Sequence, residues 1–204
     1  AFRAAKGLKH DGIIRYGELG NYESTVFFTQ EYYKAQSLRH LMDEYLAAGK
    51  SFSLTEACQL TIKILEAVQF LHDSEQIHGN LKPENILIGF DGSVKLTDFG
   101  IARMVDKQTM TMTGTLLGSP AFMAPEYIAG EPTDHRADIF SFGAMLYQLT
   151  TGFLPFQGES PAALLLAITK GKFEPPAKHN PRIHRNISRI IERCMATDPA
   201  SRYA

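Results

Sequence analysis

Between residues 54 and 96 the spacing of apolar side chains changes from helical to strand-like, and few folds accommodate that switch. Ala57, Leu60, Ile64, Ala67, Val68 and Leu71 recur every three or four residues, which predicts one buried helical face. Ser53-Leu54-Thr55-Glu56, just before them, is a capping-box pattern: a hydroxyl and a carboxylate placed to satisfy the first free amides of that helix. Ile86-Leu87-Ile88 and Val94-x-Leu96 then flank Gly89-Phe90-Asp91-Gly92, which predicts a hairpin with an Asp-Gly turn signal. A hairpin alone is marginally stable, so this one needs other elements to cover it.

Residues 1–9 read as the tail of a helix, with Phe2, Ala5 and Leu8 at helical spacing. Ile13 to Gly20 and Ser24 to Gln30 read as short strands around an Asn21-Tyr22 turn. From Ser37 a helix carries Leu38, Leu41, Met42, Tyr45 and Leu46 on one face, with Gly49 as its stop. Helices resume at about 135–151 and at 161–170, where Pro161 suits a first turn and Gly171 follows, and a last one runs over 186–197. Strands early and helices late give an α+β order rather than an alternating βαβ one.

Composition narrows the function classes. Lys and Arg total 21 against 22 for Asp and Glu, a net charge of -1, which argues against a nucleic-acid or anionic-membrane partner. With 204 residues, 44% hydrophobic, one domain with a sizeable core is expected. Two cysteines, Cys58 and Cys194, make no disulfide framework and read as ordinary core residues of a protein from a reducing compartment. The longest apolar run, 162–168, is far shorter than the roughly 20 residues that span a bilayer, and residues 1–10 hold no signal-peptide core. A cytoplasmic chain is expected, and the absence of an initial Met predicts a trimmed chain or a fragment.

Polar residues concentrate in two short loops beside the hairpin. One is His78-Gly79-Asn80-Leu81-Lys82-Pro83-Glu84-Asn85; the other is Asp98-Phe99-Gly100. The hairpin brings Asn85 and Asp98 together, and a carboxylate and an amide oxygen near a lysine suit Mg²⁺ and phosphate. The plainer reading makes Asp98 a turn residue and Asn85 a cap. Thr109, Thr111, Thr113 and Thr115 alternate in a long Thr-, Gly- and Pro-rich stretch and read either as phosphorylation sites or as a solvated loop. Asn186-Ile187-Ser188 fits a glycosylation sequon, but a helix cap is the better reading. The seven histidines show no zinc-type spacing.

These motifs, in order, resemble the eukaryotic-like serine/threonine protein kinases of bacteria: H-G-N-L-K-P-E-N at 78–85, D-F-G at 98–100, G-S-P-A-F-M-A-P-E at 118–126, D-I-F-S-F-G at 138–143 and D-P-x-x-R-Y at 198–203. The resemblance implies a kinase-like α+β fold, with the end of a helix, two strands and a hinge over 1–33 as the remnant of an upper lobe. A mainly helical lower lobe would follow over 34–204, with its catalytic loop at 78–85 and activation segment at 98–126. It implies ATP and Mg²⁺ as cofactors and a protein substrate or partner protein. Asp98 would hold the metal bridging the ATP phosphates, Asn85 a second metal, and Lys82 would neutralise the transferring phosphoryl group. The backbone of Glu31 and Tyr33 would face adenine, with Gln30 at the gatekeeper place and Leu87 as the floor. His78 and Phe99 would pack the two loops together, Asp138 would anchor the catalytic loop, and Glu126 with Arg202 would fasten the activation segment.

Two residues depart from the family's pattern. Asn80 stands where the family has the aspartate that takes the substrate hydroxyl proton, and Gly79 replaces the preceding arginine. A carboxamide can orient a hydroxyl but cannot take its proton at neutral pH. No glycine-rich phosphate loop or V-A-I-K lysine is present either, so a fragment beginning inside a helix of the upper lobe is expected. Two functions stay open: an attenuated serine/threonine kinase, or a pseudokinase that serves as a nucleotide-responsive or structural partner-binding module.

Overall fold

The computed structural model describes residues 5–23, 25–100 and 120–204. Strands β1 (Tyr16–Tyr22) and β2 (Thr25–Gln30) form an antiparallel pair, and β3 (Ala35–Ser37) leads into helix α1 (Leu38–Ala47). Helix α2 (Leu54–Asp73) follows, then a 3₁₀ turn at Pro83–Asn85 and the hairpin β4 (Ile86–Gly89) and β5 (Val94–Leu96). The three strands β3-β4-β5 make an antiparallel sheet. Beyond a 3₁₀ turn at Pro120–Phe122 come α3 (Pro125–Ile128), α4 (Arg136–Thr151), α5 (Pro161–Lys170), α6 (Pro176–His179) and α7 (Arg185–Cys194), with a last 3₁₀ turn at Pro199–Ser201. This is the α+β order expected.

Local chemistry explains the helix ends. Ser53 Oγ accepts from the Glu56 amide at 3.2 Å while Glu56 Oε2 accepts from the Ser53 amide at 2.8 Å, so both halves of the capping box form. Ser160 caps α5 through the Ala163 amide, Pro161 sits in its first turn, and Gly171 closes it at φ +63°. Ser37 caps α1 through the His40 amide at 3.1 Å.

The core joins α2, α4 and α7. Ala57, Ile64, Ala67, Val68 and Leu71 of α2 are buried, as are Phe140, Met145, Leu146, Tyr147 and Leu149 of α4 and Ile191 and Cys194 of α7. Each large side chain so buried contributes roughly 1.5–3 kcal/mol. At Gly143 of α4 a Cβ would come within 2.6 Å of Cys194 Cβ, so glycine lets the two helices approach at that point.

Five expectations are corrected. The β1–β2 turn lies beyond Asn21 and Tyr22: these pair with Val26 and Thr25, and Glu23, at φ +52°, begins the reversal. Ile13 stays outside β1 and instead makes a parallel bridge to Leu96. The last helix runs over Arg185–Cys194, and its cap is His184, whose ring nitrogen accepts from the Asn186 amide at 3.2 Å. Leu46 is 74% exposed because its end of α1 runs past the core, and Cys58 is only half-buried. Thr109, Thr111, Thr113 and Thr115 lie outside the described residues. No helix among the described residues is long and apolar enough to cross a membrane.

Candidate active site

Asp138, in the first turn of α4, organises the loop at 78–85 although the two amides it binds there lie 60 and 59 residues away in sequence. It is 1% exposed, and its carboxylate accepts from the His78 amide (Oδ2, 2.8 Å) and the Gly79 amide (Oδ1, 2.8 Å). His72 Nε2, from the end of α2, lies 2.8 Å from the same Oδ2. A buried carboxylate with three hydrogen-bonding partners pins the start of the loop to α4. At Gly79 the chain turns through φ +74°.

His78 is fully buried. Burial pushes its pKa down, against the pull of Asp138 and Asp98, so the ring is neutral. Its Nδ1 accepts from the Asn80 amide at 3.3 Å, which places the proton on Nε2, an atom without a partner among the described residues. The ring meets Phe99 at 6.3 Å, and Phe99 packs on Tyr16 at 4.9 Å. Tyr16 in turn meets Phe28 edge-on at 5.4 Å. These aromatic contacts run from β2 through β1 to both loops.

Two backbone bonds stitch the loops together. The Thr97 amide donates to the Asn85 carbonyl at 3.0 Å, and the Gly100 amide donates to the His78 carbonyl at 3.1 Å. Asp98 therefore sits beside the 3₁₀ turn that carries Asn85, in a left-handed conformation at φ +60° that is uncommon outside glycine. Asn85 is buried, and its Nδ2 donates to the Asn80 carbonyl at 2.8 Å, leaving Oδ1 as the acceptor. Neither the Asn80 amide group nor the Lys82 ammonium has a side-chain partner among the described residues.

The oxygen donors fit magnesium that arrives with phosphates. Asp98 and Asn85 offer a carboxylate and an amide oxygen, and no cluster of three His, Cys, Asp or Glu that could hold a resident metal exists among the described residues. Mg²⁺ ordinarily takes one or two carboxylates and fills its remaining positions with phosphate and water.

Glu31, Tyr33 and Leu87 lie on adjoining strands and connections. Leu87 is half-buried on β4, between Ser37 of β3 and Lys95 of β5. The Glu31 amide donates to the Arg15 carbonyl at 2.9 Å. Its side chain accepts from the Arg15 amide and guanidinium and from Lys95 Nζ at 2.8 Å. Burial raises the Glu31 pKa, but the Lys95 and Arg15 hydrogen bonds outweigh it and leave the carboxyl below its ordinary range. The Tyr33 hydroxyl pairs with that of Ser93.

On the far side, Glu126 and Arg202 form a bidentate pair, 2.7 Å at each contact, with side chains 4% and 0% exposed. The remaining guanidinium hydrogens reach the carbonyls of Arg136, Ala196 and Thr197.

Sequence reasoning missed Tyr16, Lys95 and His72. Burial and, after it, the Asp98 charge push the Tyr16 phenol up, and the ring packs on Phe99, so Tyr16 touches the 98–100 loop directly. No local signal marks these residues. Lys95 meets Glu31 across 64 positions and His72 meets Asp138 across 66.

Residues 2–204 match the family described as protein kinase domain. A probable serine/threonine-protein kinase of Clostridium perfringens is 32% identical over 200 residues, covering 98% of this chain and 29% of that protein. Serine/threonine-protein kinase PrkC of Bacillus subtilis is 31% identical, covering 98% and 30%, and a probable PknB of Corynebacterium glutamicum is 34% identical, covering 96% and 31%. The chain thus spans about 30% of the length of these curated relatives. Among solved structures, Rad53 residues 1–466 in complex with AMP-PNP superposes with a TM-score of 0.78 at 28% identity, covering 98% of this chain and 50% of that one.

Proposed function

Since the chain belongs to the protein kinase domain family, we propose that it forms the catalytic part of a serine/threonine protein kinase, one slowed by Asn80. The proposed reaction moves the γ-phosphoryl of Mg·ATP to a protein hydroxyl. The observation that carries this reading is the double backbone stitch between the loops, Thr97 to Asn85 and Gly100 to His78, which gathers Asn80, Lys82, Asn85 and Asp98. Bound magnesium would supply charge neutralisation at the phosphates, held by Asp98 and Asn85. Lys82 would offset charge on the transferring group, and Asn80 would orient the acceptor hydroxyl by hydrogen bonding. The backbone of Glu31 and Tyr33 would meet adenine above Leu87. The relatives' names support serine or threonine as acceptor.

A general base is worth about 10²–10⁴-fold, and phosphoryl transfer depends mostly on positioning and electrostatics. A slow enzyme is therefore the expectation. The test is transfer from labelled Mg·ATP by the full-length protein, comparing Asn80 with Asn80→Asp and with Asp98→Ala. Slow transfer that rises about 10²-fold or more with the aspartate, and is lost in Asp98→Ala, supports the reading. No transfer from either Asn80 or Asn80→Asp overturns it in favour of a pseudokinase, the reading that the missing base and Gly79 favour.

A further inference from the structure

We infer that Lys95 is a positioning residue for the nucleotide, bracing the stretch 31–33 against which adenine would lie. The inference rests on the ATP-using reading above. Lys95 projects from β5, and its ammonium reaches two segments remote from β5 and from each other in sequence. Its Nζ donates to Glu31 Oε1 at 2.8 Å and to the Ile13 carbonyl at 3.3 Å, and it lies 5.4 Å from the centre of the Tyr33 ring. Glu31 is tied at the same time to Arg15, through its carboxylate and through its own amide. Tyr33 is tied to Ser93 in the hairpin that carries Lys95.

The arrangement is sheltered. The Lys95 and Glu31 side chains are 16% and 20% exposed, so their attraction escapes much of the screening that weakens surface pairs. Segment 12–14 is bonded to β5 as well: the Leu96 amide donates to the Gly12 carbonyl and the Ile14 amide to the Leu96 carbonyl, both at 2.8 Å. Hydrogen bonds to a base edge weaken steeply when donor and acceptor swing out of line. A brace that fixes the backbone of residues 31–33 therefore sets how well adenine is held, without Lys95 touching it.

A brace at the adenine end gives a specific signature. In the full-length protein, Lys95→Met should weaken adenosine and Mg·ATP by the same factor, about tenfold, the low end for a hydrogen bond to a charged group. Asp98→Asn should weaken Mg·ATP alone. Glu31→Gln removes the same pair from the other side, so it should give a similar loss even if Lys95→Met folds poorly. The loss in the double variant should fall short of the sum of the two single losses, because both remove the same pair while Glu31→Gln also weakens the tie to Arg15, and Lys95→Arg should keep most of the affinity. Titration calorimetry with each probe reads these values. Unchanged or tighter binding by both single variants, a loss confined to Mg·ATP, or additive losses would overturn the brace while leaving the kinase reading in place. Failure of the unaltered protein to bind either probe overturns both.

Discussion

At the scale of single residues, Gly79 separates shape from chemistry. It holds φ +74°, and a Cβ built there meets nothing within 4 Å, so the backbone and not crowding favours glycine. Gly79→Arg, which restores the family's usual residue, should cost about 1–2 kcal/mol through the left-handed conformation alone. In a domain of this size that lowers the melting midpoint by about 2–8 °C, readable in a thermal scan, with an unchanged circular dichroism spectrum. An equal midpoint would mean that the turn carries no strain. Next to it, the Asn80 backbone makes the loop's bonds to His78 and Asn85, so under the proposed function the change would lie in its side chain alone, a carboxamide that cannot take a proton at neutral pH.

At the scale of elements, the entry to α4 carries a pH dependence. The Asp134 carboxylate is bonded by the Arg136 side chain and the Arg136 amide, and these hold its pKa down at about 2 from an ordinary 3.8. A depressed carboxyl stabilises the fold fully above its unfolded value and loses that contribution as pH falls through its folded one. Asp134→Asn should therefore flatten the stability profile between about pH 4 and 2 and leave its shape near neutrality unchanged, as read by denaturant midpoints across pH. Elements whose signals are local were legible in the sequence. The Ser53 capping box, the Asp-Gly hairpin and the Pro161–Gly171 frame of α5 all formed where expected, because each needs only neighbours within a few residues. The β1–β2 turn was misread because cross-strand register moved the reversal past Asn21 to Glu23, a residue type that carries no turn signal. The cap of α7 was misread because a histidine ring does the work usually given to Asn or Ser.

At the scale of the whole molecule, one ion pair joins the region of α3 to the end of the helical part. Arg202 and Glu126 are buried, bidentate and fully hydrogen-bonded, and losing one partner would strand the other charge. Arg202→Met should cost about 3–5 kcal/mol. That corresponds to a melting midpoint lower by on the order of 10 °C, with the Glu126→Gln, Arg202→Met double variant more stable than Arg202→Met alone. A double variant no better than the single one would mean that the stranded carboxylate is not the source of the loss. Motif order was enough to draw attention to Asp138, Glu126 and Arg202, whereas Tyr16, His72 and Lys95 became visible only once the chain was folded. Their partners are set by packing between distant segments, which no local pattern encodes.

The same pair has a consequence in time. Glu126 and Arg202 are 76 positions apart. At about 5–20 residues per second of synthesis, the carboxylate waits roughly 4–15 seconds for its guanidinium to be made. Through that interval the nascent chain carries a Glu126 that cannot yet be buried at low cost. The pair that secures the region around α3 thus closes only after translation has passed residue 202.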